Sequence, residues 1–394
     1  MNLKKILAIG IALVALMPAT QAQDTLLTQM AKKHVKTFAF KNASFKGPGW
    51  DTLLAEIKLA NDVAIGEIHL TNEVPLFVAA IIHQVKFDNF FCEVDPYTAK
   101  IIAAKVAQSN QLELKKFRDN FGVTFSFFSF EPEFQLLQQL VKSKATINGI
   151  DQILIVADRL ICSELAKNTR SASAKKVYLK IAKQSQIYFE QFLKDNTKPF
   201  YLFTPEFDQL VAQLERMPLS KYERNFIADL RRTQQIYQQQ NHHLRIQQMK
   251  NNLMQTYPKE VGSKSLYKFG AIHLPKGESL MKIYDIGNLI DNLADSKYQK
   301  SLHIMVIGKS GFQASPFKGY PAQTVDENSN DLHALKPLLR AVEGRDWHCF
   351  DIGALRDAVV ANKIVINEAE LTRVINGYDF VIVVPEVTAA RFLQ

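Results

Sequence analysis

The strongest constraint on the fold is the run Phe90-Phe91-Cys92-Glu93-Val94, which is apolar at successive rather than alternate positions, apart from one carboxylate. A strand of that kind is buried on both faces, the environment of a parallel sheet covered by helices. A β-branched segment over 63–66 precedes it and a third strand pattern, over 146–150, follows it. Helical spacing separates the three. Strand and helix therefore alternate through the first 150 residues, which predicts an α/β fold with a central mostly parallel or mixed sheet flanked by helices.

The helices between these strands have readable starts. Asn72 suits an N-cap, with Glu73 and Pro75 in the first turn and an apolar side formed by Leu76, Val78, Ala79, Ile82 and Val85. Helical spacing is also expected over 24–40, 50–59, 97–109, 113–117 and 131–142. The aromatic cluster Phe125, Phe127, Phe128 and Phe130 reads as core packing or the wall of a pocket. From about residue 155 the character changes. Helical patterns run over 155–167, 174–194, 206–216 and 221–255, with Pro199, Pro205 and Pro218 at the breaks. Strand patterns resume at 265–271, 303–307, 347–352 and 380–384, around a loop-rich stretch over 308–330. The expected organisation is a leader over 1–22, a first part of the α/β core over 23–154, a helical insertion over 155–260, and a second part of the core with a C-terminal α/β extension over 261–394.

The leader carries Lys4 and Lys5, an apolar run from Ile6 to Met17, and small residues at Thr20 and Ala22. That is the pattern of a secretory signal peptide, too short in its apolar part to span a bilayer. It predicts an exported, periplasmic or secreted protein with no transmembrane span once the leader is removed. Without Lys4 and Lys5 the formal charge drops from +9 to +7. Residues 155–260 hold 17 Lys+Arg against 10 Asp+Glu, so the excess lies there. These cations are dispersed along helical patterns and follow no nucleic-acid motif; they predict a solvated helical face and no nucleic-acid partner. Cys92, Cys162 and Cys349 are widely separated and match no zinc or haem-attachment spacing.

Polar groups end four of the expected strands: Glu67 and His69, Glu93 and Asp95, Asp151, and His273. Strand ends in a parallel sheet share one rim, where α/β folds place their ligands. Two imidazoles with carboxylates at such a rim suit two chemistries. A histidine oriented by a carboxylate can take a proton from water or a hydroxyl while the second serves as acid or anion stabiliser. Alternatively His69, Glu93 and His273 are adequate ligands for a divalent metal. Singly, each has a plainer reading: a helix cap for the carboxylates, a satisfied loop side chain for His273. The chain has no Gly-X-Ser-X-Gly nucleophile elbow, phosphate-binding loop or dinucleotide fingerprint.

These pieces together resemble the erythromycin esterase-like superfamily, which includes the ChaN-like haem-binding and TIKI/TraB relatives. The matching segments are Ile65-Gly66-Glu67-Ile68-His69, Phe91-Cys92-Glu93, Gly149-Ile150-Asp151, the Arg245-x-x-x-Met249-x-x-Asn252 helix and Gly270-Ala271-Ile272-His273, with Tyr378-Asp379-Phe380-Val381-Ile382-Val383 as the last strand. The resemblance implies a mixed α/β core with helical additions. It also implies a pocket in which His69 activates water for ester, lactone or amide hydrolysis, with Glu67, Glu93, Arg245 and His273 assisting, Asp95 and Asp151 contacting a small-molecule substrate, and no cofactor required. The two-residue spacing of Glu67 and His69 is shorter than in macrolide esterases and closer to the ChaN-like and TIKI-like members. Those imply the alternative: haem or a divalent metal bound in the same pocket, or metal-dependent peptidase activity.

Overall fold

The computed structural model describes residues 25–393. The expected signal peptide lies outside the described residues. Ten strands occur among them: β1 (Val35–Lys41), β2 (Ser44–Lys46), β3 (Asp62–Glu67), β4 (Asn89–Cys92), β5 (Thr146–Gly149), β6 (Ser265–Gly270), β7 (Ser301–Gln313), β8 (Gln323–Asp326), β9 (Trp347–Asp351) and β10 (Phe380–Val387). Both parallel and antiparallel pairs are present, so the chain is a mixed α/β protein. It divides into two compact units. One comprises the chain up to Ile81 with Phe269–Ala314 and Ala322–Ala389; the other comprises Ile82–Lys268 with Ser315–Pro321 and the last residues from Ala390.

In the first unit the strands run in the order β2-β1-β9-β10-β7-β3, with β8 antiparallel on β7. β3 pairs parallel to β7 from Asp62 opposite Ser301 to Glu67 opposite Val306, and β7 pairs parallel to β10. Every residue of β3 is buried: the apolar run over 63–66 calls for cover on both faces, and the carboxylates at its two ends, Asp62 and Glu67, are buried with it. β9 and β10 pair with each other, and on to β1 and β7, so the C-terminal strands are built into this sheet. Phe38, Phe45, Trp50, Phe77 and Trp347 form one ring cluster on its face, with Phe45 5.1 Å from Trp50 and 5.0 Å from Trp347.

The second unit holds β4, β5 and β6 as far as Lys268, all parallel, with Asn89 opposite both Ser265 and Thr146. Beyond them lie the helices Asp158–Asn168, Ala172–Lys194, Pro205–Glu215, Lys221–Gln239 and His242–Thr256. Ile161, Cys162, Tyr178, Ile181, Val211, Leu214, Phe226 and Leu230 form the shared core of the first four. The Phe-rich stretch is core: Phe125, Phe128 and Phe130 are buried, Phe125 stacks on Phe117 at 5.0 Å, and Phe130 packs on Phe392 at 4.3 Å. Burying such rings is worth roughly 1.5–3 kcal/mol each. All three cysteines are buried and free.

Several expectations need correction. The helix expected over 24–40 covers only 25–33; the alternating Val35-Lys36-Thr37-Phe38 that follows turns one face inward and pairs antiparallel with β9. The single helix expected over 221–255 breaks at Gln240, which is left-handed at φ 50°, and Asn241 caps the helix that restarts. The stretch over 308–330 is not simply loop, because β7 continues to Gln313 and β8 folds back on it. Helices Ile286–Asp295, Ile352–Val360 and Ala369–Gly377 were not anticipated.

Candidate active site

In the first unit the candidate residues sit where β3 stops. Residues two apart in an extended chain project to the same side, and Glu67 and His69 use that: Glu67 Oε1 lies 2.9 Å from His69 Nδ1. The carboxylate side chain is 3% exposed and the imidazole 31%. A buried acid thus orients a ring that solvent reaches. The chain then turns sharply at Leu70, left-handed at φ 63°. The turn is pinned on both sides, since Leu70 accepts from the Ala314 N–H at 2.9 Å and Asn72 donates to the Thr388 carbonyl at 3.0 Å.

A second acid–imidazole pair stands in the same unit. The short 3-10 turn Ala271–His273 follows β6, and His273 Nδ1 lies 2.7 Å from Asp285 Oδ2, with both side chains 1% exposed. The other oxygen of Asp285 accepts the Ile286 N–H at 2.7 Å as the cap of helix Ile286–Asp295. With a carboxylate on Nδ1, each neutral imidazole carries its proton there and its lone pair on Nε2. The segments bearing the two pairs touch through Gly66. A Cβ at Gly66 would lie 3.0 Å from Ala271 Cα and 2.7 Å from the Tyr378 hydroxyl, which itself donates to the Ala271 carbonyl. Only glycine permits that approach.

The second unit gathers three candidates around one guanidinium. Arg245 donates through Nε and Nη2 to the two oxygens of Asp151, at 2.9 and 2.7 Å, and through Nη2 to Glu93 at 2.7 Å. All three are largely buried. Burial alone would lower the Arg245 pKa; the two carboxylates more than offset this and hold it well above the usual value. The same helical face carries Asn252, which donates to the Ile150 carbonyl at 3.0 Å, and the buried Met249. The Arg-x-x-x-Met-x-x-Asn spacing thus fixes the ends of β4 and β5 from one side.

Asp95 does not join the Arg245 cluster by hydrogen bonds. Its Oδ1 caps helix Pro96–Gln108, accepting from Tyr97 and Thr98 N–H groups at 3.0 and 2.8 Å. Its Oδ2 is buried without a partner, and burial pushes its pKa up to about 7 against the opposing effect of those N–H bonds.

Two participants went unread in the sequence. Asp285 had only its cap-type position before an apolar helical pattern to mark it, and Tyr378 only its place ahead of the last strand. Among the described residues no group of three or more His, Cys, Asp or Glu has an arrangement that would hold a metal ion. Glu93 is neutralised by Arg245 instead, and the phenylalanines that would wall a haem are packed in the core. The residues present therefore do not fit a metal or haem. No helix among the described residues is long and apolar enough to cross a membrane.

No protein-family model matches the chain, and no curated protein matches it significantly. Solved structures do. A histidine-to-asparagine mutant of the erythromycin esterase EreC, in its open conformation, is similar with a TM-score of 0.57 at 13% identity, over 90% of this chain and 98% of that one. A Bacillus cereus protein solved by structural genomics matches with a TM-score of 0.55 at 15% identity, over 94% and 99%. A succinoglycan biosynthesis protein matches with a TM-score of 0.53 at 13% identity, over 93% and 97%. The fold is that of the erythromycin esterase-like proteins.

Proposed function

We propose that this chain is an esterase-type hydrolase in which His69, held by Glu67, is the general base. The observation that carries the reading is the 2.9 Å contact between a buried Glu67 and a solvent-reached His69. A general base must reach the water it activates, and of the two paired imidazoles His69 is the one with an open approach. Its Nε2 takes a proton from water as the oxygen attacks an ester or lactone carbonyl carbon. The tetrahedral adduct then expels the alkoxide, which recovers that proton to give the acid and the alcohol. His273, buried and locked by Asp285 through Nδ1, is assigned a positioning role, fixing the Ala271–His273 turn that packs against Gly66. The likeness in fold to an erythromycin esterase supports hydrolysis as the class. It carries no assignment of a macrolide substrate.

The test is turnover of p-nitrophenyl esters and γ- and δ-lactones by the purified protein and by His69→Ala and Glu67→Gln. General-base loss is expected to cost about 10²–10⁴-fold in kcat, with circular dichroism unchanged. Full turnover in His69→Ala would overturn the reading. Arg245 belongs to the other unit, and its part in turnover is read separately from Arg245→Lys. We further propose that residues 1–22 direct export; N-terminal sequencing of the protein from the periplasm or medium is expected to begin after them.

A further inference from the structure

We infer that the second unit carries a binding groove for a neutral oligosaccharide, centred on Tyr222, that is separate from the acid–imidazole pairs. A cavity of about 590 Å³ opens beside β5, between the start of helix Pro96–Gln108 and the helices Lys221–Gln239 and His242–Thr256. A second cavity, of about 400 Å³, lies among helices Pro96–Gln108 and Asp158–Asn168 and the start of Lys221–Gln239. Lys100 and Tyr222 line both, so the two meet at that pair. Each falls within the roughly 300–1,000 Å³ of small-molecule sites, and together they suit a ligand longer than one ring.

The side chains at the groove define its chemistry. Tyr222 is 41% exposed, an open aromatic surface. Tyr97 meets its ring at 5.4 Å and 66°, and Lys100 Nζ lies 5.3 Å from its centroid. Behind it the wall is fixed, because Tyr97 Oη donates to Asp229 at 2.7 Å and Asp229 also holds Arg232. Around it stand Asn148, Asn225, Asn251 and Gln255. Each amide offers both a donor and an acceptor, which matches sugar hydroxyls that do the same. An aromatic ring beside such amides matches the apolar C–H face of a pyranose. The adjoining cavity is also mixed: Ile101, Ile161 and Leu165 form its apolar part, and its polar part joins the amides of Gln108 and Asn168 to charges of both signs, Lys105 against Glu164 and Glu223.

Other ligand classes fit less well. An anion favours converging cations, but in the larger cavity Arg232 is paired with Asp229 and the Lys100 ammonium rests over a ring. A peptide adding a strand to β5 would want apolar pockets for alternate side chains, whereas β5 offers only Ile147 between the polar Thr146 and Asn148.

The experiment is calorimetric titration of the full chain with maltotetraose, cellotetraose, xylotetraose and chitotetraose, alongside an extended tetrapeptide and inorganic phosphate. One of the glycans is expected to bind, with affinity reduced at least about ten-fold, or roughly 1.4 kcal/mol, in Tyr222→Ala and in Asn251→Ala. Tyr222→Phe keeps the ring and is expected to keep most of the affinity. Both positions are exposed, so the variants are expected to fold; unchanged thermal melts establish that. Absence of binding by every glycan up to about 10 mM, affinity unaffected by Tyr222→Ala, or preferential binding of the peptide or phosphate would each overturn the assignment. Binding is read without turnover, so its failure and the failure of the hydrolase reading are distinguishable.

Discussion

Asp285 Oδ2 stands 2.7 Å from His273 Nδ1, and neither side chain is more than 1% exposed. One carboxylate thereby fixes an imidazole and caps a helix. Asp285→Ala removes both, leaving the buried ring N–H without that acceptor and the helix without its cap, and is expected to cost about 2–4 kcal/mol. Asp285→Asn retains an oxygen for the Ile286 N–H but presents an amide N–H to the ring, forcing the proton onto Nε2. Urea denaturation measures the first effect. The ¹⁵N shifts of His273 report the second, and an unchanged tautomer in Asp285→Asn would contradict it.

Gly66 packs where a methyl group meets the Tyr378 hydroxyl at 2.7 Å. Gly66→Ala is expected to destabilise by roughly 1–3 kcal/mol through overpacking. Deleting the hydroxyl with Tyr378→Phe relieves the contact, so the double variant is expected to be more stable than the two single losses added together. Chemical denaturation of the four proteins of this cycle measures the coupling. Strict additivity would mean that the backbone shifts away instead.

Arg245 faces two carboxylates, and their buried charge defines a pH signature. In Arg245→Met, Glu93 and Asp151 lose the guanidinium that offsets two buried like charges, a burden that is greatest when both are ionised. The variant is therefore expected to be about 3–5 kcal/mol less stable near neutrality, and to recover towards acid. Thermal melts across the acid-to-neutral range check the sign. Arg245→Lys keeps the charge without the two-pronged contact to Asp151 and is expected to fall between.

His303 is fully buried, and burial, reinforced by the nearby Lys276 charge, pushes its pKa from 6.5 down to about 4. Its Nδ1 lies 2.6 Å from the Leu274 carbonyl, while Nε2 has no partner. The unfolded chain binds the proton more tightly. This contribution to stability is thus complete above about pH 6.5 and is lost as pH falls towards about 4, for at most roughly 3 kcal/mol. His303→Gln keeps a donor for Leu274 and is expected to show a flatter acid limb in denaturation against pH.

Asp158 runs the other way. Burial raises its pKa to about 7 against the opposing Ser185 hydroxyl and Arg159 N–H. Its contribution is complete below the unfolded value near 3.8 and is lost as pH rises through about 7. Asp158→Asn is expected to abolish that loss, seen as melts that no longer weaken from mildly acid to mildly alkaline buffer.

What the sequence made legible follows from burial. β3 and β4 are apolar at successive positions because both faces are covered, and their polar ends stand out against that background. β1 was hidden because an antiparallel strand alternates, and Val35 to Phe40 also satisfies a loose helical count. The break at Gln240 was hidden because glutamine carries no preference for the left-handed region it occupies. Partnerships were the least readable. Arg245 lies 94 residues from Asp151 and 152 from Glu93, and no local pattern announces that one guanidinium serves both. The helix motif marked Arg245 as a candidate without naming its partners. Asp285 was missed for a related reason: its local role as a cap is complete without His273.

The order β2-β1-β9-β10-β7-β3 also governs when the chain can finish folding. β10 lies between β9 and β7, and β1 finds its long partner only in β9, some 300 positions later in sequence. A growing chain that has yet to release Phe380–Val387 keeps unsatisfied strand edges on β7 and β9, the kind of surface that recruits wrong partners. The strands emerging first must wait for the last to arrive. Synthesis that stalls within the final strand leaves the sheet that carries Glu67 unclosed.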